Sequence, residues 1–369
     1  MMEKKLPVKE MPARKDTELL DLAFKVGKLV GLYPQTFENN FRFKFHIFLY
    51  GIFTAFIIAF DLYNDVLDVL YPEERGNGIA VIVLTSLVVW YTQIINFLNL
   101  FKRQTWSSLF TKLSTLDSNL GIYPINDKRR ILTIICAVLF CSGYTAYEIF
   151  LCWPASNDYS YNLMLLFTSL VISFNMFLVI FTFHQVTTVI ERRIKMIKQI
   201  VKHSVHTKTL TLTFVKIKMN YSIVYDLVND LNDIFGYYIL TIVFNFFYYS
   251  LDYFNVSMRY VLHDDNSNGM FVSYGPHLAV LLIYIVNVAF SSDKISRAAD
   301  NLIKTCFLLH PDVQDQVLTE ELIALSKFMT DLFPEITMAG WFTMNKKFIL
   351  VLISSLTSYV IIIIQFQLG

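Results

Sequence analysis

The sequence predicts an all-α membrane protein of seven transmembrane helices, N-terminus cytoplasmic and C-terminus extracellular, with cytosolic helical extensions. Three observations predict it. Of 369 residues, 55% are apolar and only 17% charged, against about 45–50% and about 25% in an ordinary soluble domain. Seven stretches approach the length of about 20 apolar residues that a helix needs to cross about 30 Å of hydrocarbon. The Lys and Arg residues, finally, fall almost entirely in alternate connections between those stretches.

The stretches are 43–63, 79–101, 131–153, 163–190, 235–254, 277–292 and 348–366. The sixth is the shortest, although 278–290 is nearly free of polar side chains. Polar segments mark three of the turns: YPEERGNG at 71–78, WPASNDYSYN at 153–162 and HDDNSNG at 263–269. Of the 31 basic residues, 29 lie on the side of the N-terminus, leaving Arg75 and Arg259 on the other. Because Lys and Arg collect in cytoplasmic loops, that side is expected to be the inner one. The opening MMEKKLPVKEMPARKDTELL lacks the apolar core of a cleavable signal peptide, so the mature chain is expected to start at Met1 in the cytosol. The formal net charge of +1 thus divides into an inner surface near +9 and an outer one near −8. An acidic outer surface concentrates cations.

The inner connections are long. Residues 191–232 mix Lys and Arg with apolar residues at helical spacing, so spans four and five are expected to continue as helices into the cytosol. Residues 292–309 extend span six. In 318–332, Leu318, Leu322, Leu325, Met329 and Leu332 recur at three- and four-residue steps, the mark of a separate amphipathic helix. That helix either packs within its own chain or meets another subunit.

No enzyme signature is present: there is no HExxH, GxSxG or Gly-rich phosphate loop. The histidines and cysteines show no metal-ligand spacing, so no catalytic residue, metal or cofactor is expected. Cys136, Cys141 and Cys152 share one apolar stretch and Cys306 lies far off, which implies no extracellular disulfide. Of two sequons, Asn255-Val-Ser257 lies at the expected outer face and is the glycosylation candidate, while Asn220-Tyr-Ser222 lies inside. His184, within span four, is polar at a costly depth. A hydrogen bond to a neighbouring helix accounts for it more readily than a ligand contact.

Glu191-Arg192-Arg193 resembles the E/D-R-Y triplet of G-protein-coupled receptors only superficially. It follows span four, the Asn-Pro-x-x-Tyr signature is absent, and the basic residues place the N-terminus inside. A transporter is expected to show repeated halves with Gly- or Pro-broken helices, and neither is found.

The last stretch carries the sharpest signal. Within ISSLTSYVIIIIQFQLG, the residues Ser354, Ser358, Ile361/Ile362 and Gln365 share one helical face. Small and hydroxyl residues on one face let helices approach closely. The alternative is a face lining a water-filled path, with bulky aliphatics as a dewetting constriction. One helix cannot enclose a pore, so that alternative requires several subunits around an axis.

Ser358-Tyr359-Val-Ile-Ile-Ile-Ile-Gln365-Phe366 resembles the Thr-Tyr-five-apolar-Gln-Phe signature that closes the last helix of insect gustatory receptors. The preceding Ala339-Gly340-Trp341-Phe342-Thr343-Met344-Asn345 resembles that family's approach to the helix. The resemblance implies a tetrameric, ligand-gated, non-selective cation channel in the plasma membrane of chemosensory neurons. Its partners would be a small-molecule tastant, identical or related subunits, the lipid bilayer and permeating cations, with no nucleic acid. Residue by residue, Gln365 and Phe366 would face the pore and form or border the gate, Ser358 would keep the family's hydroxyl, and Tyr359 would brace the helix. Ile362, one turn before Phe366, joins them by helical spacing.

Val360 stands where the sweet-receptor branch usually has an acid, which favours a non-sugar or bitter tastant. An insect odorant-receptor subunit is the alternative within the same channel class. The chain then divides into a cytoplasmic segment (1–42), a six-helix ligand-sensing bundle (43–292), cytosolic anchor helices (293–347) and a pore-lining helix (348–369). A tastant arriving from outside would meet Trp90, Tyr147, Glu148, Tyr161, Tyr249, Asp252 and Tyr284 in the outer halves of spans two to six. Tyr and Trp also gather at membrane interfaces for other reasons, whereas Glu148 and Asp252 need partners or water.

Overall fold

A computed structural model describes residues 97–121, 159–207, 209–263, 268–309 and 315–368, together with scattered residues before 97 and Gly143. The rest of the third apolar stretch, most of the first two and the 71–78 connection lie outside the described residues. In chain order the described elements are α1 (Arg103–Leu120), α2 (Tyr159–His206), α3 (Leu210–His263), α4 (Asn268–Leu309), α5 (Gln316–Asp331), a hairpin of β1 (Thr337–Met338) and β2 (Phe342–Thr343), and α6 (Lys346–Leu368).

Three helices are far longer than a membrane requires. α2, α3 and α4 have 48, 54 and 42 residues, hence lengths of about 72, 81 and 63 Å at about 1.5 Å per residue. A hydrocarbon core of about 30 Å takes up less than half of each. The apolar stretches 163–190, 235–254 and 277–292 therefore do run on as helices, as the periodicity of 191–232 and 292–309 leads one to expect. Among the described residues, four segments are long and apolar enough to cross a membrane: Ser173–His206, Thr213–Phe254, Gly275–Leu309 and Lys346–Gln365.

The extensions pack into one core with α1 and α5. α1 buries Trp106, Leu109, Leu113 and Leu116, one per turn, and stops at Gly121, whose φ of 67° lies in the left-handed region that glycine enters freely. Trp106 meets Phe235 of α3 edge-on with centroids 5.7 Å apart, and Phe235 meets Phe183 of α2 at 5.6 Å. α5 starts at Asp315, whose side chain accepts the Val317 N–H, and buries Leu318, Leu322, Leu325, Ser326 and Met329. It packs on α3 and α4, and Tyr221 of α3 donates its hydroxyl to the Met329 carbonyl at 3.1 Å. The amphipathic helix thus spends its apolar face within its own chain.

Ion pairs join the same core. Arg193 Nε lies 2.6 Å from Asp117 Oδ1, with the arginine side chain only 2% exposed. Asp230 of α3 accepts from Ser108 at 2.9 Å and Lys112 at 2.8 Å of α1. Lys102, just before α1, donates to the Asp233 carbonyl and sits over the Tyr237 ring. Burial holds its ammonium below the usual lysine range, against the opposing pull of the Asp233 carboxylate.

The hairpin is fastened to α3 by two residues one turn apart. Asn232 donates its amide to the Glu335 carbonyl at 2.8 Å and accepts the Thr337 N–H at 2.9 Å. Gly236 leaves room for the hairpin tip: a Cβ there would lie 2.8 Å from the Ala339 nitrogen. The tip turns through Ala339 (φ 50°) and Gly340 (φ 79°). From it the chain enters α6, where the Asn345 side chain accepts the N–H groups of Lys347 at 2.9 Å and Phe348 at 3.2 Å, a standard N-terminal cap. Neither α1 nor the hairpin follows from the sequence reading, and α5 ends at Asp331, one residue short of the expected 332.

Candidate functional site

α6 touches α3 and α4 along a narrow stripe. Leu352 and Leu356, one turn apart, are its buried residues. Ser354, Ser358, Ile361, Ile362 and Gln365 are all exposed, so the face that the sequence marks as shared points away from the rest of the chain. Of the four long apolar segments, Lys346–Gln365 is 6% buried, whereas the other three are 44–61% buried. Two hydroxyls on α6 are satisfied by its own backbone. Ser358 donates to the Ser354 carbonyl at 3.1 Å and Thr357 to Ile353 at 2.9 Å, which lets both residues face an apolar medium. Tyr359 is half exposed and meets Phe247 of α3 edge-on, centroids 5.2 Å apart. Phe366 lies in α6, and its side chain is outside the described residues.

At its N-terminal end α6 meets α4 through charge. Lys346 Nζ is 3.2 Å from Asp293 Oδ2 and 4.4 Å from the centre of the Phe290 ring. The same Asp293 oxygen is 2.7 Å from Arg297 Nε. Sequence reasoning misses these residues because it counts them only as charges on the inner side.

The proposed pocket residues are resolved unevenly. Tyr147 and Glu148 lie outside the described residues, and Tyr161 sits in the first turn of α2 and Asn255 within α3 with side chains not described. Tyr249 of α3 and His277 of α4 are brought together edge-on, centroids 4.5 Å apart, and the Tyr248 ring lies 5.3 Å from that of Tyr249. Asp252 and Tyr284 are buried, on α3 and α4. Trp90 is half-buried in a helical stretch, and its indole nitrogen has no hydrogen-bond partner among the described residues. The amides of Gln93 and Asn99, Asn175 Nδ2 and Asn245 Oδ1 are likewise buried without one. Such groups are costly at span depth unless water or a polar ligand meets them. Gln93, one turn from Trp90, was legible as an amide in an apolar run.

Three other residues singled out in the sequence meet their geometry here. His184 Nδ1 is 2.8 Å from Ser291 Oγ, a hydrogen bond from α2 to α4, which is the structural role rather than a ligand contact. Arg193, from the Glu-Arg-Arg triplet, is the buried partner of Asp117. Asn220, the inner sequon, is 2% exposed and accepts the Asn119 amide at 3.0 Å, which leaves no room for a glycan.

Residues 20–369 match the family described as 7tm Chemosensory receptor. The chain belongs to that family. It is a family of receptors, not of enzymes, and the apolar helices of this receptor are those of a membrane protein. The receptor's fold is similar to that of the insect olfactory receptor OR5 from Machilis hrabei, at TM-score 0.58 and 12% identity, over 94% of this chain and 97% of that one. It is equally similar to OR5 in complex with eugenol, with the same score, identity and coverage. No curated protein matches the receptor by sequence.

Proposed function

We propose that the receptor is a gustatory receptor: a ligand-gated, non-selective cation channel in the plasma membrane of chemosensory neurons, opened by a small organic tastant of the non-sugar or bitter kind. The observation that carries the proposal is α6, an apolar helix of membrane length that is almost uncovered and presents Ser354, Ser358 and Gln365 on one exposed face. Lipid can cover aliphatic side chains and a hydroxyl bonded to its own backbone, as in Ser358, but the Gln365 amide is better matched by water or by another protein surface. A single α6 encloses nothing, so identical or related subunits, four in the family resemblance, are arranged around an axis with this face inward. Gln365 and Phe366 then form or border the gate, with Ile362 and Ile361 narrowing the path one turn earlier. Ser358 lines it, and Tyr359 braces α6 through Phe247.

In the same reading the protein has seven spans, the N-terminus inside and the C-terminus outside. Residues 1–42 precede a sensing bundle (43–292), 293–347 form the anchor, and 348–369 line the pore. Trp90, Tyr147, Glu148, Tyr161, Tyr249, Asp252 and Tyr284 contact the tastant, and Asn255 carries glycan. The Tyr249–His277 contact and the buried, unpartnered amides support a cavity with aromatic and polar walls. That a protein of similar fold has been solved with eugenol supports a small organic ligand.

The test is to express the chain alone and record currents against sugars, bitter compounds and volatile odorants. Ligand-evoked cation current without G proteins is expected, and Gln365→Ala should alter permeation or gating. Surface-expressed protein that passes no current refutes the channel. A response confined to odorants moves the receptor to the second reading, an odorant-receptor subunit, which the OR5 likeness supports.

A further inference from the structure

α6 begins with the wrong charges for a helix. Its first turn has no acid and opens on Lys346 and Lys347, which oppose the partial positive charge of a helix N-terminus. Asn345 caps the backbone without answering that charge. The answer comes from α4. Asp293 faces the Lys346 ammonium at 3.2 Å, and Phe290, three residues earlier on the same helical face, offers its ring at 4.4 Å, within the about 6 Å over which a cation is attracted to an aromatic face. Asp293 is 15% exposed, so the pair is partly shielded from water. Its oxygen is shared: Arg297 Nε, one turn farther along α4, lies 2.7 Å away, and both contacts are ion pairs by distance without hydrogen-bond geometry.

We propose that this shared carboxylate is a gating latch, with Asp293 as a positioning residue that ties the inner end of α6 to α4 and passes to Arg297 when α6 moves. The proposal rests on the channel reading and adds to it the route by which sensing reaches the gate. α4 is one continuous helix from Asn268 to Leu309, so Tyr284, at the proposed pocket, and Asp293 belong to one rod and lie about 14 Å apart along it. A shift of that rod relative to α6 changes the Lys346–Asp293 distance directly. The seating that resists it is narrow: among the described residues of α6, Leu352 and Leu356 are buried, Phe348 and Ile349 are partly buried, and Tyr359 meets Phe247. Release leaves no orphaned buried carboxylate, because Arg297 is already in place. That removes the large cost of breaking a shielded ion pair and allows the contact to switch.

The full chain, expressed in cells, tests this with a double-mutant cycle of Asp293→Asn and Lys346→Gln. The readouts are spontaneous current and the half-maximal concentrations of two probes, quinine and eugenol, each normalised to surface labelling. Each neutralisation alone is expected to shift gating about twofold to fivefold in the same direction, the range of a partly exposed ion pair. The double variant should go no farther than the larger single one. Lys346→Arg should stay near wild type. Arg297→Gln, which leaves Asp293 to Lys346 alone, should shift gating the opposite way, an outcome that a purely structural pair does not produce. Additive shifts, no shift, or an Arg297→Gln effect of the same sign overturns the latch while leaving the channel intact. Surface-expressed wild type with neither spontaneous nor probe-evoked current refutes the channel reading and the gating role with it.

Discussion

Gly236→Ala adds one methyl group where α3 meets the hairpin that leads into α6. The new Cβ would stand 2.8 Å from the Ala339 nitrogen, 3.2 Å from its Cα and 3.3 Å from the Thr337 carbonyl oxygen. All three are backbone atoms, so no side chain can swing aside. Reaching an ordinary 3.4 Å requires the hairpin to retreat by about 0.6 Å, and overpacking of this kind costs about 1–3 kcal/mol. The same retreat stretches the two Asn232 bonds from 2.8 and 2.9 Å toward 3.5 Å, past good geometry. Each such bond contributes about 0.5–1.5 kcal/mol. Against this, alanine is favoured over glycine inside a helix by about 1 kcal/mol. The expected net destabilisation is about 1–3 kcal/mol, read as a lower thermal midpoint of purified receptor. Gly236→Ala should cost less in an Asn232→Ala background, where the hairpin is already loosened. A midpoint equal to or above wild type would mean that helix propensity alone decides and that the hairpin does not bear on α3.

Four further outcomes are expected. Asp117→Ala removes the carboxylate facing the buried Arg193; breaking a buried pair costs about 3–5 kcal/mol, and the 21% exposure of Asp117 places the loss toward the low end, again as a thermal midpoint. Trp106→Ala empties the fully buried contact between α1 and α3 and should cost about 3–5 kcal/mol, seen as loss of surface expression and faster proteolysis of α1. Asn345→Ala removes the cap of α6 and should cost about 1 kcal/mol, with increased hydrogen exchange confined to the first turn of α6. Asp252→Ala, like Glu148→Ala, should change ligand sensitivity more than surface expression; an equal loss of both would assign these acids to folding.

What the sequence makes legible follows its periodicity. The extensions of α2, α3 and α4, the helix of Leu318, Leu322, Leu325 and Met329, and the common face of Ser354, Ser358 and Gln365 all rest on three- and four-residue steps within one segment. α1 has the same steps, Trp106 to Leu109 to Leu113 to Leu116, closed by Gly121, but the four apolar residues are separated by hydroxyls and charges and sit in a segment read only for its basic residues. The hairpin could not be seen this way. Strands of two residues have no period, and its support is long-range: Asn232 reaches Thr337 across 105 positions. Charge is legible as sidedness and not as contact. Arg193 and Lys346 enter the same tally, yet one is sealed in the core and the other joins α6 to α4 through Asp293. His184 was readable because an imidazole at that depth must find a partner, and Ser291 is it. Tyr147 and Glu148 fall outside the described residues, so the outer pocket is traced only on its α3 and α4 sides.

In the proposed channel, the slight seating of α6 exposes it to the thickness of the bilayer. Its 20-residue apolar segment, Lys346–Gln365, measures about 30 Å, the thickness of an average hydrocarbon core. α2, α3 and α4 are packed against one another and against α1 and α5, whereas α6 rests on a narrow stripe and is the freer to lean. Mismatch of a few ångströms costs fractions of a kcal/mol per ångström, comparable to the contacts that hold α6 in place. In the proposed channel, lipid composition thus acts most on α6, the least buried of the described apolar helices, and acyl-chain length becomes a setting of the resting state.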